Sequence, residues 1–171
     1  GMSVKQDYNQ IQLDQSDYIK TITDAYPEAC RANTPGKPGH VLPECNTKSK
    51  RNFPYRQLCG KLRYATLTRP EIEFPLNQCC RHTENFDGTH IDALLRIVGY
   101  LKKNPDLPLV YKKDNNSQPT LEIKGTCDSS FADQPERKSS YGYFIQLNKK
   151  IITWKSQTTP KVATSTSGFF G

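Results

Sequence analysis

Apolar positions recur every three to four residues through the middle of the chain, and every second residue beyond it. In "PYRQLCGKLRYATL" the side chains of Tyr55, Leu58, Leu62 and Ala65 share one helical face, with Arg56, Lys61 and Arg63 off it. That is the stripe of a helix half sunk in a core. "GTHIDALLRIVGYLKKN" repeats the pattern with Ile91, Leu94, Leu95, Val98 and Leu101. Thr89 is placed to cap its start, Lys102, Lys103 and Asn104 close it, and Pro105 lies beyond. Between these two helices "RPEIEFPLNQCCRHT" carries two prolines. Pro70 suits a first helical position, but Pro75 would then cost a backbone bond in the second turn, which predicts a kink or a helix that begins near Phe74.

The period then changes to two. "LPLVYKK", "PTLEIKGTCD", "SSYGYFIQLN" and "KKIITWKS" are strand candidates rich in β-branched and aromatic residues, and the gap around "NK" predicts a tight hairpin between the last two. The stretch from Pro119 to Ser156 thus reads as an antiparallel three-stranded meander. At the other end "YNQIQLDQ" predicts a short strand, and "YIKTITDAY" a short helix capped by Ser16 or Asp17 and ended by Pro27. From Glu28 to Asn52 prolines, glycines and a "KSKR" run predict an arm laid over the surface, or a hinge. The expected class is α+β, with an N-terminal strand, helix and arm over 1–52, a helical region over 53–113 and the meander over 114–171.

Charge adds a candidate partner. The first 47 residues hold 4 basic and 6 acidic side chains, whereas the rest hold 20 and 11, so the basic character belongs to the body. Such a balance suits nucleic acid, because Lys and Arg on phosphate release counterions; it also suits a solvated lysine-rich surface. The six cysteines, at 30, 45, 59, 79, 80 and 127, form no CxxC pair. They read as reduced thiols of a nuclear or cytoplasmic protein. Cys79 or Cys80 with His82 and His90 matches no standard zinc spacing. No apolar run is long enough to span a bilayer, so no membrane partner is expected.

Three stretches carry a resemblance: "YRQLCGKLRYATLTRPEI", "LLRIVGYLKKNPDLPLVYKK" and "GTCDSSFADQPERKSSYGYFIQLNKKIITWKSQTTPKVATSTS". Together they resemble the polymerase polyprotein of copia-type LTR retrotransposons, in the part that runs from the reverse-transcriptase thumb and connection into RNase H. "LDQSDYIKTITDAYPEACRANTP" is similar to the segment after that family's palm. The resemblance implies a helical thumb/connection-like part followed by the meander of a truncated RNase H-like fold.

It also implies a chemistry to look for. RNase H relatives hold two Mg²⁺ ions with four carboxylates and cleave the RNA strand of a hybrid in line. The first of those carboxylates maps onto Asp128 in "TCDSSFAD", while the next acid position reads Ser130. The approach to the second is "VATSTSGFFG", where Gly168 and Phe170 stand in the acid positions. The remaining carboxylates would lie past Gly171, and the palm aspartates ahead of Met2. The expectation is therefore a domesticated or remnant pseudoenzyme with no catalytic set, no cofactor unless Mg²⁺-dependent activity persists, and Asp128 as a vestige. Asp128 equally reads as a strand-end acid that caps a turn.

Its partners would be nucleic acid (DNA, RNA or hybrid), contacted by Arg137, Lys138, Lys149, Lys150, Lys155 and Lys161, or a protein. Trp154, Tyr141 and Tyr143 read either as stacking platforms for bases or as cross-strand packing. Without the later strands of the RNase H sheet, "TLEIKGTC" becomes a free edge beside Leu121 and Ile123. That edge would pair with a second copy, giving a homodimer, take a partner's strand, or be covered by "LPLVYKK" or the arm. The alternative is one piece of an active reverse transcriptase/ribonuclease H whose missing carboxylates come from another chain.

Overall fold

The computed structural model describes residues 1–45, 52–113, 121–130 and 139–159. The chain divides into two compact units, Gly1–Lys113 and Asp114–Gly171. It is a mixed α/β protein, with four α-helices and two antiparallel three-stranded sheets among the described residues.

The first unit opens on β1 (Ser3–Gln6) and β2 (Gln10–Asp14), joined by a turn in which Asp7 Oδ1 accepts the N–H groups of Asn9 at 2.7 Å and Gln10 at 2.8 Å. β3 (Leu109–Lys112) pairs antiparallel with the other edge of β2, Leu109 opposite Leu13 and Tyr111 opposite Ile11. The "LPLVYKK" segment is thus committed to this sheet, as the partner of β2. Helix α1 (Ser16–Asp24) begins earlier than expected, so Ser16 and Asp17 lie inside its first turn, Gln15 stands at the N-cap without a side-chain cap, and Asp14 braces the entry. Asp14 Oδ1 accepts the Ser16 N–H at 2.7 Å and the Ser16 hydroxyl at 2.5 Å, and that hydroxyl above all holds the Asp14 carboxyl below its ordinary range.

The core lies between α1, α2 (Tyr55–Ala65), α3 (Glu73–Cys80) and α4 (Gly88–Lys103). α2 buries Tyr55, Leu58, Cys59, Leu62 and Ala65, and α4 buries Ile91, Leu94, Ile97, Val98 and Leu101. Tyr55 stacks on Phe86 with ring centroids 4.5 Å apart and donates its hydroxyl to the Cys79 carbonyl at 2.9 Å, so its buried oxygen is not left unpaired. The two prolines of the middle segment resolve as a short 3-10 turn, Pro70–Ile72, followed by α3 from Glu73. α4 is capped by Asp87 and not by Thr89. The Asp87 carboxylate accepts Thr89 N–H at 2.9 Å and His90 N–H at 3.3 Å, and the His90 ring reaches back to the Asp87 backbone.

The arm is docked. Ala32 N–H donates to the Gly99 carbonyl at 3.2 Å, Arg96 Nη2 donates to Thr34 Oγ1 at 2.9 Å, Lys102 Nζ donates to the Pro27 carbonyl at 3.2 Å, and Lys103 Nζ donates to Asn33 Oδ1. Gly99 is what permits this approach: a Cβ there would stand 1.8 Å from the Cys30 carbonyl oxygen. Farther along the arm, the Pro43 carbonyl lies 3.0 Å from His90 Nε2, and Leu42 is buried.

The second unit is an antiparallel meander of β4 (Ile123–Ser130), β5 (Ser140–Leu147) and β6 (Lys150–Thr158), in that order. β5 and β6 join through Asn148 and Lys149, whose φ of 48° and 65° match the left-handed pair of a type I′ hairpin turn.

Candidate functional site

The register decides which of the expected site residues can act together. Residues paired across antiparallel strands point to the same face, and the faces alternate along each strand. Tyr141, Tyr143, Ile145 and Leu147 of β5 lie opposite Ser129, Cys127, Gly125 and Ile123 of β4, and opposite Gln157, Lys155, Thr153 and Lys150 of β6. The other face carries Lys124, Thr126 and Asp128, then Gly142, Phe144 and Gln146, then Ile151, Trp154 and Ser156. Lys150 and Lys155 are therefore on one face with the two tyrosines, and Asp128 is on the other with Trp154.

Strict alternation would separate those lysines, since they are five positions apart and an odd step changes face. A β-bulge prevents it: Gln146 pairs with Ile151 and Ile145 with Thr153, which leaves Ile152 unpaired. Past the bulge the alternation is reset. The Tyr141 hydroxyl then meets Gln157 Oε1 at 2.5 Å across the strands, and Lys155 stands opposite Tyr143, which is 37% exposed. Lys149 sits in the turn, its carbonyl 3.3 Å from Gln146 Nε2. Arg137, Lys138, Lys161, Gly168 and Phe170 lie outside the described residues.

Asp128 is exposed and close to the end of β4, where its Oδ1 accepts the Ser129 N–H at 2.8 Å. Its cross-strand neighbour is Gly142, so that side of the carboxylate is open. Among the described residues of this unit the other acid is Glu122, six positions back, about 20 Å along an extended strand. A pair of carboxylates that far apart does not fit a two-Mg²⁺ site, whose ions sit roughly 3.5–4 Å from one another. Among all described residues no three His, Cys, Asp or Glu side chains converge as metal ligands.

β4 and β6 are the two edges of the described sheet, and β4 is exposed at every position, with Ile123 66% exposed and Leu121, just ahead of it, 74% exposed. The described chain pairs β4 on one side alone.

In the helical unit, sequence reasoning missed two features. An open cleft of about 450 Å³ between the arm and α4 is lined by Glu28, Arg31, Asp92 and Arg96 among others; its two guanidinium and two carboxylate groups balance. The second is the setting of two thiols. Cys59 is buried on α2, Cys80 is half-buried at the end of α3, and Arg63 Nη1 donates to Glu73 Oε1 at 2.9 Å. The separation of the two cysteines by 21 positions gives no motif, and the signal that could have found them was that Cys59 shares the apolar stripe of α2.

The chain is similar to Pol polyproteins of plant copia-type transposons. It is 31% identical over 114 residues, 66% of the chain, to the retrovirus-related Pol polyprotein from transposon RE1 of Arabidopsis thaliana. That match spans 8% of the polyprotein's length. Over the same share of the chain it is 30% identical to an uncharacterized mitochondrial protein of Arabidopsis thaliana, covering 46% of that protein. A secreted RxLR effector protein of Plasmopara viticola is 27% identical over 119 residues, 68% of this chain and 81% of the effector. No family model and no solved structure matches the chain.

Proposed function

We propose that this chain corresponds to the thumb and connection of a copia-type reverse transcriptase running into an RNase H-like meander, and that it acts without catalysis, as a module that binds nucleic acid. The observation that carries this reading is the face shared by Lys150, Lys155, Tyr141 and Tyr143. Ammonium groups beside aromatic rings suit a phosphate backbone with bases stacked against it. The likeness to Pol polyproteins supports the order of elements, and among the described residues of its unit Asp128 has no second carboxylate near it.

Binding is measured by fluorescence polarisation with labelled single-stranded, duplex and hybrid oligonucleotides at several salt concentrations. Lys150→Glu with Lys155→Glu lowers the magnitude of the salt slope by about two, since each lost phosphate contact removes about one. Lys124→Glu, on the opposite face, leaves it in place. Affinity that is indifferent to salt and to both lysines refutes the interface. Hybrid cleavage that needs Mg²⁺ and is lost in Asp128→Asn would instead favour the reading in which this piece belongs to an active ribonuclease completed by another chain.

A protein contact accompanies this reading. The exposed β4 edge suits pairing with a second copy, because unpaired N–H and C=O groups beside Leu121 and Ile123 form a template for another strand. The solution mass, read with and without a short hybrid duplex, separates a dimer from a nucleic-acid complex.

A further inference from the structure

The arm meets α4 at a guanidinium edge that is only half used. Arg96 Nη2 donates to Thr34 Oγ1 at 2.9 Å, while Arg96 Nε, on the same edge of the planar group, is buried and finds no acceptor among the described residues. That edge is a fork shaped for a pair of oxygens, and a threonine hydroxyl supplies one. Thr34 is exposed and lies in a stretch that belongs to no helix or strand. Its own proton goes to the Gly36 carbonyl at 2.8 Å, a bond within the arm. The chain holds two Thr–Pro pairs, Thr34–Pro35 and Thr159–Pro160, and only the first has a basic residue three positions after its threonine, Lys37. The charges around the fork are mixed. Arg31 lines the same cleft as Arg96, and so do Glu28 and Asp92, while Lys103 is bonded to the neighbouring Asn33.

We propose that Thr34 is a phosphorylation site for a proline-directed protein kinase, and that its phosphate locks the arm onto α4 through Arg96. Thr34 Oγ1 attacks the γ-phosphorus of ATP, the bond to the bridging oxygen breaks, ADP leaves, and the hydroxyl proton passes to a base of the kinase. Proline after the threonine suits such an enzyme, because it fixes φ and brings no N–H into the substrate groove. Lys37 adds a positive charge for an anionic pocket beyond it. The product puts nearly two negative charges and three acceptor oxygens where one hydroxyl stood. Two of those oxygens match the Nε and Nη2 N–H groups, so the unused prong gains a partner and the existing bond becomes one between opposite charges. Glu28 and Asp92 oppose the added charge, so the gain rests on the fork more than on the net charge of the cleft. A kinase takes this stretch extended, so the phosphate is added while the arm is lifted and holds the arm once it docks.

The test uses the full chain, a purified cyclin-dependent kinase and ATP. Peptide mapping is expected to place the phosphate on Thr34, and Thr34→Val and Pro35→Ala each abolish it there. Amide hydrogen exchange then reads the arm. The Ala32 N–H is held by the Gly99 carbonyl at 3.2 Å. In the phosphorylated chain it is expected to exchange about tenfold more slowly, the effect of one further hydrogen bond to a charged group. In Arg96→Gln the phosphate still forms but the slowing is lost, and in Arg96→Lys, which keeps the charge without the fork, the slowing is partial. Folding of each variant is checked by helical circular dichroism. Phosphate on Thr159 alone, or none on the folded chain, overturns the proposal. So does a phosphorylated chain in which Ala32 exchanges no more slowly, or an Arg96→Gln protein that slows as much as its parent.

Discussion

The two units of this chain bury their apolar residues to very different degrees. Among the described residues every buried apolar side chain lies between Ile19 and Leu101, in the helical unit, and the meander contributes none. In the meander Ile145, Leu147, Phe144 and Trp154 are only partly covered, on both faces of the sheet. A helix stripe identifies one inward direction, so periodicity and burial agree. A strand with apolar residues on both sides does not, and its energetics depend on what each face meets. The difference teaches that the helical unit owes its stability to its own packing, whereas the described strands of the meander bury none of their apolar side chains fully.

The sharpest way to break this comparison is a matched pair of truncations. Leu94→Ala, at a position with 0% exposure, is expected to cost the helical unit about 3–4 kcal/mol from lost burial and a residual cavity. Leu147→Ala in the partly covered sheet is expected to cost under about 1.5 kcal/mol. Helical circular dichroism follows the first unit and the fluorescence of Trp154, the one tryptophan, follows the sheet. Equal losses would mean that the sheet has a core of its own. Next in size is Gly99→Ala. The added methyl cannot coexist with the Cys30 carbonyl, so the arm must lift or α4 must shift, at about 1–3 kcal/mol. Hydrogen exchange at Ala32, whose N–H is held by the Gly99 carbonyl, reports which occurs.

The smallest effect is in pH. Burial, then the neighbouring His90, lowers the His82 pKa from its ordinary 6.5. The fold therefore favours neutral His82, and the unfolded chain takes up the proton more readily. Its contribution is complete above pH 6.5 and is lost as pH falls through the window below it. A modest fall of the helical unit's melting temperature below that pH, reduced in His82→Gln and absent from the sheet's transition, is the expected result.

Much of the fold was legible. The stripe of Leu58 and Leu62, the stripe of Leu94 and Leu101, the conflict between Pro70 and Pro75, and the hairpin at Asn148 all follow from period, propensity and turn chemistry. What escaped depends on contacts between distant segments. Asp87 displaced Thr89 as a cap because the His90 side chain completes the box from inside the helix. The place of "LPLVYKK" beside β2 is a long-range pairing that no local pattern encodes. The docked arm turned on one glycine of α4, whose role appears only when a carbonyl from the arm stands over it. Of the candidate site, Lys149, Lys150, Lys155 and Asp128 were named from the sequence. Their division between two faces was not, because counting residues by twos gives the wrong answer for β6.

That miscount has a consequence for how this surface can change. β6 is one residue longer than the ladder it pairs with, and Ile152 is the spare. Parity, more than composition, decides which chemistry looks outward from each side. Loss of Ile152 would leave Lys150, Trp154 and Lys155 where they are, whereas loss of Thr153 or Trp154 with the bulge kept would carry Lys155 to the side of Asp128. A single-residue deletion between the two lysines is silent or face-reversing according to whether the strand gives up its bulge or keeps it.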